Sequence, residues 1–165
     1  MLNRDDLKRI AMLTHLTDPM LDRLAAIVDV LKFDEEEMIF RAGEPAGRFY
    51  MLRSGQVLLE QRISNRVTAC VAAIKPGFSF GWSSMLESGT YTVDAVCAAP
   101  SEVFSFKPTK INVLFEEDPE MGLRMYRRLL VIIKKRLDIR TEQFRQAIKN
   151  HPDMQVCFND WKPGP

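Results

Sequence analysis

The residues best suited by type and spacing to hold a ligand fall in one stretch, Gly77 to Ala95, GFSFGWSSMLESGTYTVDA. Gly77 and Gly81 suit sharp turns or close approach of a ligand to the backbone, and a short turn of helix is expected to open after Gly81. Its N–H groups at 82 to 84 would point outward, and a helix start of that kind attracts anions. Ser83, Ser84, Thr90 and Thr92 place hydroxyl donors around the same spot. This is binding chemistry rather than bond-breaking chemistry. No catalytic set accompanies it: His15 and His151 lie near opposite ends, no GxSxG elbow or Walker loop occurs, and no paired carboxylates join a pocket signal. Cys70, Cys97 and Cys157 form no CxxC pair, which argues against zinc, an iron–sulfur cluster or a secreted disulfide framework. The chain is therefore expected not to be an enzyme and to hold no metal.

At 165 residues there is room for one domain. With 23 basic against 22 acidic residues the formal net charge is +1, so no global field draws the protein to nucleic acid or to an acidic membrane, and any electrostatic role must be local. The opening MLNRDDLKRI carries charges where a signal peptide needs an apolar run, and no window approaches the length of a membrane span. A soluble, cytoplasmic protein is the expectation.

The elements that must position the central stretch begin with helices. Leu7, Ile10, Ala11 and Leu13 to Leu16 recur at helical spacing, and Thr17-Asp18-Pro19 caps and opens a second helix. The apolar stripe of that helix is Met20, Leu21, Leu24, Ile27, Val28 and Leu31. Together they predict a helical cap over 1–32, with His15 as a packing residue. From Phe33 the period changes. Met38 to Phe40, Arg48 to Arg53, Gln56 to Ile63, Val67 to Ile74, Tyr91 to Cys97 and Val103 to Phe106 read as strands. Turn chemistry separates them, including a two-residue hairpin at Ser54-Gly55 and a turn at Pro100-Ser101. Short strands at such spacing predict a mainly β sandwich or barrel over 33–107, flanked by helices.

Helix returns over 108–150. Pro108 to Phe115 forms a first segment, and Asp118-Pro119 opens a long helix from about Glu120 to Lys149, roughly 45 Å in extent. Leu123, Tyr126, Leu130, Ile133, Leu137, Phe144 and Ala147 follow an alternating four-and-three spacing broken only at Arg140, the pattern of a seam that pairs with another helix. A homodimer through this helix is expected. Its basic residues read as a solvated face, since no groove-reading element or aromatic platform accompanies them. The tail, 151–165, is expected to be irregular.

In order, helices, then FDEEEMIFRAGEPAGRFYMLRSGQVLLEQ, then IKPGFSFG, a short helix, two strands and a long helix resemble the cyclic nucleotide-binding domain. That is the sensory half of the catabolite activator protein family, found also in kinase regulatory subunits and ion channels. Gly43, Glu44, Gly47, Tyr50 and Gly55 carry the closest match, and the resemblance runs from about Leu16 to Ala147. It implies an eight-stranded β-roll of the jelly-roll type, with a ligand inside and a long C-terminal helix that closes over it and often forms the dimer interface.

The family's phosphate-binding cassette reads Phe-Gly-Glu, a short helix, then Arg followed by Ser or Thr. Here Phe80-Gly81 is followed by Trp82, and Tyr91-Thr92 stands where the Arg pair is expected. The resemblance thus implies ligand contacts at Gly81, Trp82, Ser83, Ser84, Tyr91 and Thr92, without the ionic pair. The expected function is a regulatory domain that senses a small ligand in its roll. That ligand would be cAMP, cGMP or another small anion, bound with weak or altered affinity, and the signal would leave through the long helix. The alternative is a ligand-free module serving as a dimerisation or protein-interaction unit. No DNA-binding domain is expected in this chain.

Overall fold

The computed structural model describes residues 4–87 and 89–150, in two compact units, 4–125 and 126–150. The irregular tail expected over 151–165 lies outside the described residues. The first unit opens with α1 (Arg4–Lys8) and α2 (Asp18–Ala25), whose Pro19 sits in the first turn where its missing N–H costs nothing. Six strands follow: β1 (Asp29–Phe33), β2 (Met38–Phe40), β3 (Phe49–Arg62), β4 (Thr68–Ile74), β5 (Ser79–Phe80) and β6 (Asp94–Phe106). A four-residue 3-10 helix, Trp82–Met85, separates β5 from β6. Then come α3 (Pro108–Glu117) and α4 (Pro119–Lys149), which starts in the first unit and continues as the second.

The second helix ends at Ala25, earlier than the stripe through Leu31 predicts. Val30, Leu31 and Lys32 instead pair with Phe104, Val103 and Glu102 of β6 in an antiparallel ladder. A strand of five residues gains its stability from that long-range pairing, which local periodicity does not reveal. The expected helical cap therefore stops short of 32.

All strand pairs are antiparallel, in the order β1-β6-β3-β4, with β2 on β6 and β5 on β3. Among the described residues there are six strands rather than the eight of the family resemblance: the segments expected on either side of two chain reversals are single strands, while Asp29–Phe33 and Ser79–Phe80 are two more. Neither Ser54-Gly55 nor Pro100-Ser101 turns the chain back: β3 and β6 run on through them, and the ladder between the two shifts register around Ser54 and Gln56. Gly55 has φ +91, and a Cβ built there would lie 2.3 Å from Ser101 Oγ and 2.4 Å from Pro100 O. The bends are thus pressed against one another, and Ser101 Oγ closes the gap by accepting from Gln56 N and donating to Ala99 O. Bulges of this sort curl a sheet into a roll.

At 49–52 and 103–106 the roll's paired long strands are buried on both faces. Tyr50, Leu52, Val57, Leu59, Phe80, Ala95, Cys97 and Val103 belong to one buried cluster inside it. Phe49, Met51, Phe104 and Phe106, fully buried, alternate with them along β3 and β6, so these segments read as continuous apolar runs. The N-terminal segment is tied on by Asp6 accepting from Arg53 (2.9 Å) and by Ala11 N donating to Gly77 O (2.8 Å). Arg53 also pairs with Glu102 and lies over the Phe104 ring. Arg124, near the start of α4, donates to His15 O at 2.9 Å.

Gly55→Ala is expected to lower stability by at least about 2 kcal/mol, since a left-handed φ alone costs 1–2 kcal/mol for an L side chain and the overlap with Ser101 adds to it. A urea unfolding curve checks this through its midpoint; an unchanged midpoint would mean the two bends are not in contact.

Candidate functional site

Gly81 is the pivot of the cassette. At φ +75 it turns the chain out of β5 into the 3-10 helix, and a Cβ there would lie 3.0 Å from the Tyr50 ring, 3.2 Å from Arg48 O and 3.5 Å from the Phe40 ring. Only glycine allows both that dihedral and that approach. Ser84 closes the turn, its N–H and its hydroxyl both donating to Gly81 O. Trp82 is half-buried, its Nε1 donating to Ser79 Oγ at 3.2 Å. A helix of four residues sums few peptide dipoles, so its start is a weaker anion site than a full helix would provide.

Beneath Gly81 lies a stack of four rings. Tyr91 lies on Phe40 at 3.7 Å between centroids and 12° between planes; Tyr50 lies on Phe80 at 5.2 Å and 15°, and Phe40 and Tyr50 are 5.7 Å apart. None of the four is more than 5% exposed. Tyr91 is held at both ends. Its backbone N–H donates to Glu44 O (3.0 Å) and its carbonyl accepts from Gly43 N (2.8 Å), which straps it to the 41–47 loop. Its hydroxyl donates to Arg48 O at 2.7 Å and accepts from Arg48 N at 3.1 Å. Burial first, and the neighbouring Tyr91 second, push the Tyr50 hydroxyl above the ordinary tyrosine range; burial likewise raises Tyr91. Both stay neutral hydrogen-bonding groups in any ordinary buffer.

Arg48 and Arg53, on either side of Tyr50, are committed elsewhere. Arg48 Nη1 donates to Asp29 (2.8 Å) and to Ser105 Oγ (2.9 Å), while Arg53 serves Asp6 and Glu102. The hydrogen bond from Arg48 holds the Asp29 carboxyl below its ordinary value, so this pair is retained into mild acid and lost as pH falls through that lowered value.

Of the six residues expected at the ligand, Gly81 and Tyr91 meet at the same four rings and at Arg48. Trp82 and Ser83 are half-buried, Ser84 is buried and Thr92 is exposed. Phe40 and the Arg48 backbone complete the arrangement, and sequence reasoning did not place them there. The alternation of Phe40 with Ile39 was a signal for an inward side chain; nothing local signalled that Arg48 would be used through its peptide group. Among the described residues, no group of three His, Cys, Asp or Glu could hold a metal ion, and no helix is long and apolar enough to cross a membrane.

The model of the cyclic nucleotide-binding domain matches residues 30–118, from β1 to the end of α3, and the chain belongs to that family. Domains of this class are regulatory modules. The cGMP-dependent protein kinase egl-4 of Caenorhabditis briggsae is 26% identical over 95 residues, 57% of this chain and 13% of the kinase, so the chain spans only a small part of that relative. A cyclic nucleotide-binding domain from Methylobacillus flagellatus superposes with a TM-score of 0.79 at 14% identity, over 87% of this chain and 85% of that one. The catabolite activator protein of Thermus thermophilus gives 0.72 at 19% identity, over 84% of this chain and 64% of its own. These likenesses establish the roll and its flanking helices as the family's fold.

Tyr91→Phe keeps the stack on Phe40 but leaves Arg48 N–H and C=O without their partner. A loss of roughly 1–3 kcal/mol is expected, read as a lower thermal midpoint. No shift would mean that the hydroxyl's two hydrogen bonds are replaced at no cost by solvent.

Proposed function

We propose that this chain is a regulatory module whose roll receives a small ligand against a neutral aromatic wall, with weak or altered cyclic nucleotide affinity, and reports through α4. One observation carries the reading: Tyr91, in the place where the family resemblance expects the phosphate-binding Arg, is buried and spends its hydroxyl on the Arg48 backbone. A cyclic phosphate carries a full negative charge, and a charge-assisted hydrogen bond to it is worth about 1.5–3 kcal/mol net. Without a guanidinium, affinity falls by roughly ten- to a hundredfold or more. Trp82, in place of Glu, removes the acceptor for a ribose hydroxyl as well.

The output surface is the apolar seam of α4. Leu130, Leu137 and Phe144 are each more than 60% exposed, and Tyr126 and Ile133 are exposed beside them. That much apolar surface at seven-residue spacing is a site for a second helix. A ligand that favours one arrangement of the cassette shifts the output only by its difference in affinity for the two states.

The tight burial of the four rings favours a second reading, a roll that takes no ligand and acts as an interaction unit.

Calorimetric titration with cAMP and cGMP tests both. The first reading expects saturable heat with a millimolar-range Kd; submicromolar binding of either nucleotide would refute the neutral-wall argument, and no heat with either, together with an unshifted thermal midpoint, selects the second reading.

A further inference from the structure

The distal part of α4 differs in charge from the rest of the chain. Residues 126–150 carry eight Lys and Arg against two Asp and Glu, a net +6 in a protein whose total is +1. Their arrangement about the seam is one-sided. With Leu130, Leu137 and Phe144 at one seam position and Tyr126, Ile133 and Arg140 at the other, the residues immediately flanking the seam include Arg127, Lys134 and Arg136 and no carboxylate. Neither acidic residue flanks the seam directly: Asp138 lies one turn beyond Lys134 and accepts from it at 2.7 Å, and Glu142, on the far side, accepts from Arg145 and Gln146. Arg140 occupies a position in the seam itself. Burial first, and Arg140 one turn away second, lower the Arg136 guanidinium to about 10.

Flanking charges decide which helices pair. In a parallel two-fold pair Arg140 would meet its own copy, and in either orientation every flanking cation would face a cation or a neutral residue within a Debye length of about 8 Å. A second copy therefore offers apolar contact and no charge complement. A helix with the same apolar repeat and carboxylates beside it offers both, and gives Arg140 a partner in the seam.

We propose that the α4 seam docks an acidic amphipathic helix of a different chain in preference to a second copy of this one. The inference rests on the reading of α4 as the output element. The exposed apolar residues at the seam form a narrow row, with Val131 and Ile139 exposed singly off it; such a row suits a partner helix rather than a lipid surface, which favours a broad continuous apolar face.

The test uses the full chain with synthetic four-heptad helices carrying Leu at the seam and Glu, Gln or Lys beside it, labelled for fluorescence anisotropy, and sedimentation equilibrium of the chain alone. The Glu helix should bind at least about tenfold more tightly than the Gln helix, a difference of about 1.4 kcal/mol, and high salt should erase the gap. Arg140→Leu should raise self-association, and the double change Arg127→Glu with Lys134→Glu should turn the preference toward the Lys helix. All three positions are exposed or half-exposed, so these variants are expected to fold as the parent does. The proposal is overturned if the unmodified chain is a tight dimer that Arg140→Leu does not strengthen, or if Glu and Gln helices bind alike. It is overturned equally if phosphatidylglycerol vesicles or duplex DNA bind the chain and the Glu helix does not displace them. The nucleotide titration reads the roll and this experiment reads the helix, so either can fail while the other stands.

Discussion

The hydroxyl of Tyr91, bonded to both the N–H and the C=O of Arg48, is the constraint from which the character of the site follows. It ties the cassette to the loop before β3 and lays the Tyr91 ring on Phe40, continuing the stack through Tyr50 to Phe80. Each ring pair contributes on the order of 0.5–1.5 kcal/mol beyond its burial, so the stack stabilises the very region where the family's cassette would carry charge. The hydroxyl's proton and one of its lone pairs are both spent on a buried peptide group.

Curvature brings these rings together. The bends at Gly55 and Ser101 meet in adjacent strands, so β3 and β6 curl as a pair and carry Tyr50 and Ala95 to the inside. The close approach of Gly81 to Tyr50 and Phe40 is the second consequence, because β5 is paired to β3 at Tyr50 and Met51. The neutral wall is therefore a product of sheet geometry as well as of side-chain identity.

The helix that follows has a different physical character. In the first unit apolar residues are mostly covered; over 126–150 large apolar side chains remain exposed at regular spacing, in a setting of concentrated positive charge. On the proposed reading, the charges beside the seam would set specificity and the apolar positions would supply affinity.

Much of the fold could be read locally. Asp18-Pro19 and Asp118-Pro119 marked two helix starts, the seven-residue repeat marked a row of apolar residues that stays exposed on α4, and the run from Phe40 to Val57 pointed to the roll, because each depends on neighbours in the chain. The absence of an Arg between Lys75 and Lys107 was equally plain, and with it the loss of an ionic clamp from that stretch. What tertiary structure decided was of another kind. Asp29–Phe33 became a strand because β6 was there to pair with it, and Ser54-Gly55 bent rather than reversed because Ser101 was packed against it. Arg48 was drawn to Asp29 and Ser105, and its peptide to Tyr91. All of these are contacts between residues far apart in the chain, and the energy that selects them exists only once the roll has closed.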